Sequence, residues 1–513
     1  MSAKAGGGGG SAGGSTLSGG TFTYVELYPA ITDWDPAVAD SNEQVVMQNV
    51  YDTLTRVAPD GKTVEPELAK SWTHNASKTL WTFTLRSGAK FHTGRPVTAA
   101  AVKASIERTM AMHEGASEIW DAVSSISAPD ATHVIFKLKY PNEMDVIAAA
   151  TFGAYIYDVK AQPTSKALNK WFNQGHDAGS GPYEVTAYNR GQEDEVETKA
   201  FRNYWGGWSK GSYSRANFNV TPDINTQWQQ LQSGQVTFID NLPPQLSAQA
   251  KSNGYGTFSV HMLDNLVLLF NTKSGPMSNV WVRRAVQSAI NEQGLADALK
   301  GAGEPAASMV PPGLLGATPG INPSYSLKTA KADLAKAGYG PGKKRLTVTM
   351  TYSAGDSTQQ EFATLLNSAL EGLNASVSAD PMNFNAQYSR ATSSNLKSRQ
   401  DLFLFYWFPI SDSAISWFSG MFDSKNGEGY NLDYYSNHAV DAGIARLPVL
   451  EATSTTQAEA TYSAIQHQIV DVDAAGRAIL NMIDLPAYSA AVKGYVGSPY
   501  YPDVVFVHDI HAG

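Results

Sequence analysis

The segment from Asp401 to Trp407 reads Asp-Leu-Phe-Leu-Phe-Tyr-Trp and is apolar nearly throughout. Successive side chains of a strand point to opposite faces of its sheet, so such a segment fits a strand only if both faces are covered. Sheets of α/β folds, which carry helices on both faces, provide that environment. We therefore predict a central strand of an α/β sheet at this position.

Strand and helix patterns alternate along the chain after residue 20. Residues 80–85 and 346–352 alternate with period two, which is typical of strands with one wetter face. Thr98 is a predicted N-cap for a helix with apolar residues at i, i+4 and i+8, namely Val102, Ile106 and Met110. Because 513 residues are several times the usual domain length, we predict an α/β architecture in at least two lobes.

Composition excludes several classes of function. The chain has no Cys, which removes thiol catalysis, disulfides, Cys-ligated zinc and iron–sulfur clusters. Its net charge is −9 and it has no run of Lys or Arg long enough to follow a phosphate backbone, so a nucleic-acid partner is not expected. No apolar run reaches the roughly 18 to 20 residues of a membrane-spanning helix. His508 and His511 are the one close His pair, without the spacing of a metal motif, so no metal site and no cofactor are predicted.

The first twenty residues differ in composition from the rest of the chain. They contain nine Gly and four Ser, with Leu17 as the one large apolar residue after Met1. Such a segment cannot bury enough surface to offset its ordering entropy, so residues 1–20 are predicted to be a disordered linker. A linker of this kind suits a domain tethered near a membrane, and we expect a lipid-bearing Cys in a processed segment ahead of the sequence given.

Eight short motifs follow one another along the chain, each weak alone. In order they are 51–54 (Tyr-Asp-Thr-Leu), 66–72 (Pro-Glu-Leu-Ala-Lys-Ser-Trp), 83–94, 179–183 (Gly-Ser-Gly-Pro-Tyr), 204–207 (Tyr-Trp-Gly-Gly), 271–273, 282–290 and 337–339. Taken together, they resemble the bacterial extracellular solute-binding proteins of family 5, the peptide-, oligopeptide- and nickel-binding class of ABC importers. The resemblance extends from about residue 21 to the end.

The resemblance implies a fold and a role. The fold would be a two-lobed clamp like the type II periplasmic binding proteins, with an additional small α/β domain. Lobe I would be discontinuous, with residues 21–53, 178–270 and 484–513, beside a small domain at 54–177 and lobe II at 271–483. The protein would be no enzyme but a monomeric receptor, in the periplasm or at the extracellular face of the cytoplasmic membrane. It would deliver its ligand to the transmembrane subunits of a permease.

The resemblance also places the ligand contacts, with one departure. In the family's peptide binders, an Asp after a Trp pairs with the α-amino group of the peptide. Here Trp407 is followed three residues later by Ile410, which cannot pair with an ammonium group. Asp412 would either replace that Asp or cap the next helix.

Further contacts are expected from aromatic residues and from strand ends. Phe408 lies beside Trp407, and Trp417 belongs either to the cleft or to the core. On the facing lobe, Glu26 and Tyr28 end the first strand, while Asn265 precedes an apolar strand.

These residues leave more than one ligand class open. Peptides are the first expectation, because most of the family serves peptide uptake. An oligosaccharide, such as a cello-oligosaccharide, is the alternative because Ile410 suits a neutral ligand and aromatic rings fit sugar faces. A nickel or haem carrier is less favoured, since the sequence offers no obvious His cluster.

Overall fold

The computed structural model describes residues 17–27, 33–190, 195–408, 410, 413–426 and 429–513. Its helices of four residues or more, other than 3-10 and π segments, are Gln44–Val50, Ala99–Met112, Met144–Ile147, Ser165–Phe172, Ile224–Ser233, Pro244–Ser252, Val280–Ser288, Glu292–Leu299, Leu327–Lys336, Ser357–Glu371, Phe384–Ala391, Ile415–Met421, His438–Ile444, Leu447–Thr453 and Thr455–Gln466. Short 3-10 segments are Ser117–Trp120, Val159–Ala161, Pro276–Ser278, Ser424–Asn426 and Val507–Asp509, and a π segment is His467–Val472. No helix in these ranges is long and apolar enough to span a membrane.

A seven-stranded sheet forms the frame of the first lobe. Its strands, in spatial order, are Gly256–Thr257, Ala487–Tyr488, Phe238–Ile239, Thr21–Glu26, Arg215–Val220, Glu195–Ala200 and Tyr183–Asn189. The strand Thr21–Glu26 lies in the middle and runs parallel to both of its neighbours. Tyr24, Phe218 and Phe238 pack on one face, with ring centroids 5.8 to 5.9 Å from Tyr24.

A six-stranded sheet forms the frame of the second lobe. Its spatial order is Gly303–Pro305, Gly476–Asp484, Val260–Phe270, Leu402–Trp407, Leu346–Ser353 and Ala375–Met382. The strand Leu402–Trp407 lies inside this sheet, antiparallel to one neighbour and parallel to the other. Phe403 and Phe405 enter one core, while Leu402 and Leu404 enter the core on the opposite face. The prediction of a central strand with two covered faces is confirmed.

A four-stranded antiparallel sheet lies in the part of the chain predicted as the small domain. Its order is Ala69–His74, Leu80–Leu85, His133–Leu138 and Val123–Ser127. The helix Ala99–Met112 has its predicted cap, since Thr98 Oγ1 accepts a hydrogen bond from the Ala101 N–H at 3.3 Å. Two further ladders join Thr55–Val57 to Val64–Pro66, and Val492–Lys493 to His511–Ala512.

Two predicted boundaries need correction. The strand Val260–Phe270, assigned to lobe I by the boundary at 270, pairs on both sides with strands of the six-stranded sheet. A strand that is apolar on both faces needs cover on both, and the six-stranded sheet with its helices provides it. The predicted linker also ends earlier, because the Gly19 N–H donates to the Ser212 carbonyl at 3.0 Å and Leu17 packs on the first lobe. Residues 1–16 lie outside the described residues.

Candidate functional site

A cavity of about 600 Å³ lies where the carboxyl ends of parallel strands from both large sheets meet. Ser353, Met382 and Trp407 end three strands of the six-stranded sheet, and Leu27 and Pro222 lie one and two residues after two strands of the seven-stranded sheet. These strands run parallel within each sheet. Loops at such edges are where open α/β sheets bind ligands.

One wall of the cavity is aromatic and comes from the second lobe. Trp407 is 7% exposed, and its ring meets those of Phe405 and Tyr430 edge-on, at centroid distances of 5.9 and 5.3 Å. A Cβ atom on Gly420 would lie 2.6 Å from Trp407 Cη2, so the missing side chain makes room for the indole. Trp407 Nε1 has no hydrogen-bond partner in the described part of the chain. We call Phe405, Tyr406, Trp407, Phe408 and Tyr430 the aromatic wall.

The loop after Trp407 closes one edge of the cavity. The Ile410 carbonyl accepts hydrogen bonds from Thr151 N–H at 3.0 Å and from Thr151 Oγ1 at 3.2 Å. The Phe408 and Phe152 ring centroids are 6.0 Å apart. Phe408 and Ile410 thus both line the cavity and contact the segment that follows helix Met144–Ile147.

Another part of the lining carries two carboxyl groups, those of Asp40 and Glu118, which we call the acidic wall. Their loops pack on each other, since a Cβ atom on Gly115 would lie 2.4 Å from the Val38 carbonyl oxygen. Burial, and then the charge of Asp33, raise the pKa of Asp40 to about 6. Glu118 is an exposed residue, but nearby protein partly desolvates its carboxyl group. This desolvation, and then the charges of Asp121 and Asp40, raise the pKa of Glu118 to about 7.

Other predicted site residues lie beneath or beside the cavity. Asn265 is directly opposite Trp407 in the sheet and fully buried, and its Oδ1 accepts a hydrogen bond from Trp417 Nε1 at 3.0 Å. Trp417 is fully buried as well, and neither residue is among the lining residues. Glu26 is half-buried and precedes the lining residue Leu27. Tyr28 and Asp412 fall outside the described residues.

The sequence did not single out the acidic wall or Tyr430. Asp40 and Glu118 are far apart in the chain, one in a loop and one in the 3-10 segment Ser117–Trp120, and neither belongs to a motif, so nothing local marks them. Their signal is tertiary, because it consists of two carboxyl groups that line one cavity. Within the described ranges, no group of three or more His, Asp or Glu residues could hold a metal ion.

Comparisons with known proteins agree on one family. The model for "Bacterial extracellular solute-binding proteins, family 5 Middle" matches residues 63–429. The probable D,D-dipeptide-binding periplasmic protein DdpA of Escherichia coli is 28% identical over 481 residues, 92% of this chain and 90% of that protein. The glutathione-binding protein GsiB of Salmonella typhimurium is 27% identical, covering 83% of this chain and 81% of that protein.

Solved structures confirm the fold. The oligopeptide-binding protein AppA of Bacillus subtilis, in complex with a nonapeptide, superimposes with a TM-score of 0.83 at 20% identity. The match covers 96% of this chain and 99% of that one. The predicted two-lobed α/β clamp is therefore confirmed.

Proposed function

Because this chain belongs to the bacterial extracellular solute-binding proteins of family 5, we propose that it is the receptor of an ABC importer and captures peptides between its lobes. Family membership supports the receptor role, and relatives named for dipeptide and glutathione binding support the peptide class. The receptor would act outside the cytoplasmic membrane as a monomer, tethered by a lipid. It would break no bond in its ligand.

The cavity is the observation that carries this proposal. Its volume of about 600 Å³ falls within the range of about 300 to 1,000 Å³ that is usual for ligand pockets. Both large sheets and the Ser117–Trp120 segment contribute to its lining, so a bound molecule would contact parts of the chain that move apart when a clamp opens. A ligand can stabilise the closed form only through such differential contacts.

The aromatic wall also favours a second ligand class. Flat rings such as Trp407 and Phe408 pack against sugar faces as readily as against apolar peptide side chains. Ile410 adds an apolar side chain to the same cavity. A cello-oligosaccharide is therefore the alternative ligand for the same receptor role.

The test is to identify what the protein carries and then what stabilises it. Native mass spectrometry of the purified protein identifies any retained small molecule. A thermal-shift screen then compares di- to pentapeptides, cello-oligosaccharides and Ni²⁺ at matched concentrations. A ligand at one hundred times its Kd adds about 2.7 kcal/mol to the free energy of unfolding, a readily measured shift. Stabilisation by peptides supports the proposal, whereas stabilisation by sugars alone contradicts the peptide assignment.

A further inference from the structure

We propose that Asp40 and Glu118 bind a primary ammonium group of the captured ligand, and so orient it across the cavity. This inference rests on the proposed peptide-binding function and deepens it. Both residues line the cavity, and the chain segments that carry them pack on each other.

The first argument is that the two carboxyl groups have no cation beside them. Among the described residues, neither Asp40 nor Glu118 forms an ion pair, and the charges that act on them come from other acids. Arg190 also lines the cavity, but it is not among the charges that shift either group. The internal segments outside the described ranges contain no Lys, Arg or His that could supply a partner.

The second argument is that two carboxylates without a cation raise the free energy of the empty cavity. Two acids that face one cavity repel each other, and burial disfavours their ionised forms. A cation that enters the cavity reduces both penalties at once, because it pairs with both carboxylates. A neutral ligand gives no such compensation.

The third argument comes from the aromatic wall. Trp407 Nε1 is buried and lacks a hydrogen-bond partner in the described part of the chain, although Trp407 lines the cavity. The ring of Tyr430 meets that of Trp407. Burial, and then the negative charge of Asp40, raise the pKa of Tyr430. The acidic and aromatic walls are therefore close enough to act on the same ligand.

The chemistry leaves two sources for the ammonium group, the peptide amino terminus and a lysine side chain. Three probes separate them: the tripeptide Ala-Ala-Ala, its N-acetyl form, and N-acetyl-Ala-Lys-Ala. Titration calorimetry with the unsubstituted protein gives the first comparison. We expect at least one probe with an ammonium group to bind about tenfold or more tightly than N-acetyl-Ala-Ala-Ala.

Substitutions then assign the effect to the two acids. Asp40→Asn and Glu118→Gln keep the side-chain shape and remove the charge. We expect each to weaken binding of the ammonium probe about tenfold and to leave N-acetyl-Ala-Ala-Ala unchanged. Glu114→Gln is the matched control, because Glu114 is exposed in the same region and does not line the cavity.

The outcomes distinguish this inference from the function on which it rests. If peptides bind but acetylation and both substitutions leave the affinity unchanged, the ammonium site is wrong and the peptide receptor stands. If no peptide binds to the unsubstituted protein, the proposed function itself is overturned. Loss of binding by Ala-Ala-Ala on acetylation assigns the amino terminus, and retention by N-acetyl-Ala-Lys-Ala assigns a lysine side chain.

Discussion

The two walls of the cavity differ in chemistry and in how the chain builds them. The aromatic wall is mostly one strand and the residues that follow it, held by a sheet whose two faces are buried. The acidic wall consists of Asp40 and Glu118, which come from distant parts of the chain and meet only in the folded protein. The aromatic wall can pack against many ligands, whereas the acidic wall selects by charge. Substitutions in the first should therefore affect all ligands, and those in the second only cations.

The largest effect is expected from Trp407→Ala, which removes the centre of the aromatic wall. Binding of peptides with and without an ammonium group should weaken equally, by roughly thirtyfold or more, as for a buried aromatic contact. Calorimetry measures the affinity, and thermal unfolding without ligand checks the fold.

Trp407→Phe is the matched control for this substitution. It removes the Nε1 donor but keeps a ring against Tyr430, so it should lose less affinity than Trp407→Ala. Unchanged binding by a folded Trp407→Ala protein would mean that the ligand binds elsewhere.

A pH dependence should separate the walls next. The pKa of Asp40 is about 6 and that of Glu118 about 7, so both acids hold protons at pH 5.5 and cannot pair with an ammonium group. Both lose protons as the pH rises to 7, so the affinity for a cationic peptide should increase on the order of tenfold. Asp33, Asp121 and Tyr430 surround these groups and carry no positive charge that would cancel the trend.

The double variant Asp40→Asn with Glu118→Gln provides the control for this pH dependence. Its affinity should be flat from pH 5.5 to 7, because a terminal amine with a pKa of about 8 stays largely charged there. A slope that persists in the double variant would place the titrating group elsewhere.

A smaller effect is expected from Gly420→Ala, which displaces the Trp407 ring of the aromatic wall. The added Cβ would lie 2.6 Å from the Trp407 ring, so the indole must shift. Overpacking of this kind costs about 1 to 3 kcal/mol, and we expect roughly fivefold weaker binding of charged and acetylated peptides alike.

Gly443→Ala is the matched helix control for Gly420→Ala. The Cβ there would meet the Ile465 side chain at 3.1 Å and Thr461 Cγ2 at 3.8 Å, and Gly443 does not line the cavity. An effect of Gly420→Ala on ammonium peptides alone would contradict the separation of the two walls.

The smallest effect is expected from Phe152→Ala, at the edge where the cavity closes. It removes the ring contact with Phe408, a contact of about 0.5 to 1.5 kcal/mol for an aromatic pair. Because the contact joins the loop after Trp407 to the segment after helix Met144–Ile147, we expect binding to weaken about threefold for every ligand. Small-angle scattering should show a larger open fraction without ligand, and Phe258→Ala, an exposed aromatic outside the cavity, should change neither quantity.

The sequence predicted the elements whose signals are local. The strand Leu402–Trp407 follows from its unbroken apolarity, and the cap at Thr98 follows from one residue before a helical pattern. The end of that strand and its aromatic residues indicated Trp407 and Phe408, the family resemblance indicated Ile410, and all three line the cavity. It misplaced the strand Val260–Phe270, because apolarity shows that a strand is covered but not which sheet covers it.

The sequence by itself determined that this is a two-lobed α/β protein without cysteine chemistry, because strand and helix periods and a series of motifs are properties of neighbouring residues. Only the tertiary structure decided that Trp417 donates a hydrogen bond to Asn265 in the core. It alone brought Asp40 and Glu118 to the cavity that Trp407 also lines. The reason is physical: which loops meet across a cavity depends on the packing of whole sheets, and no spacing along the chain records it.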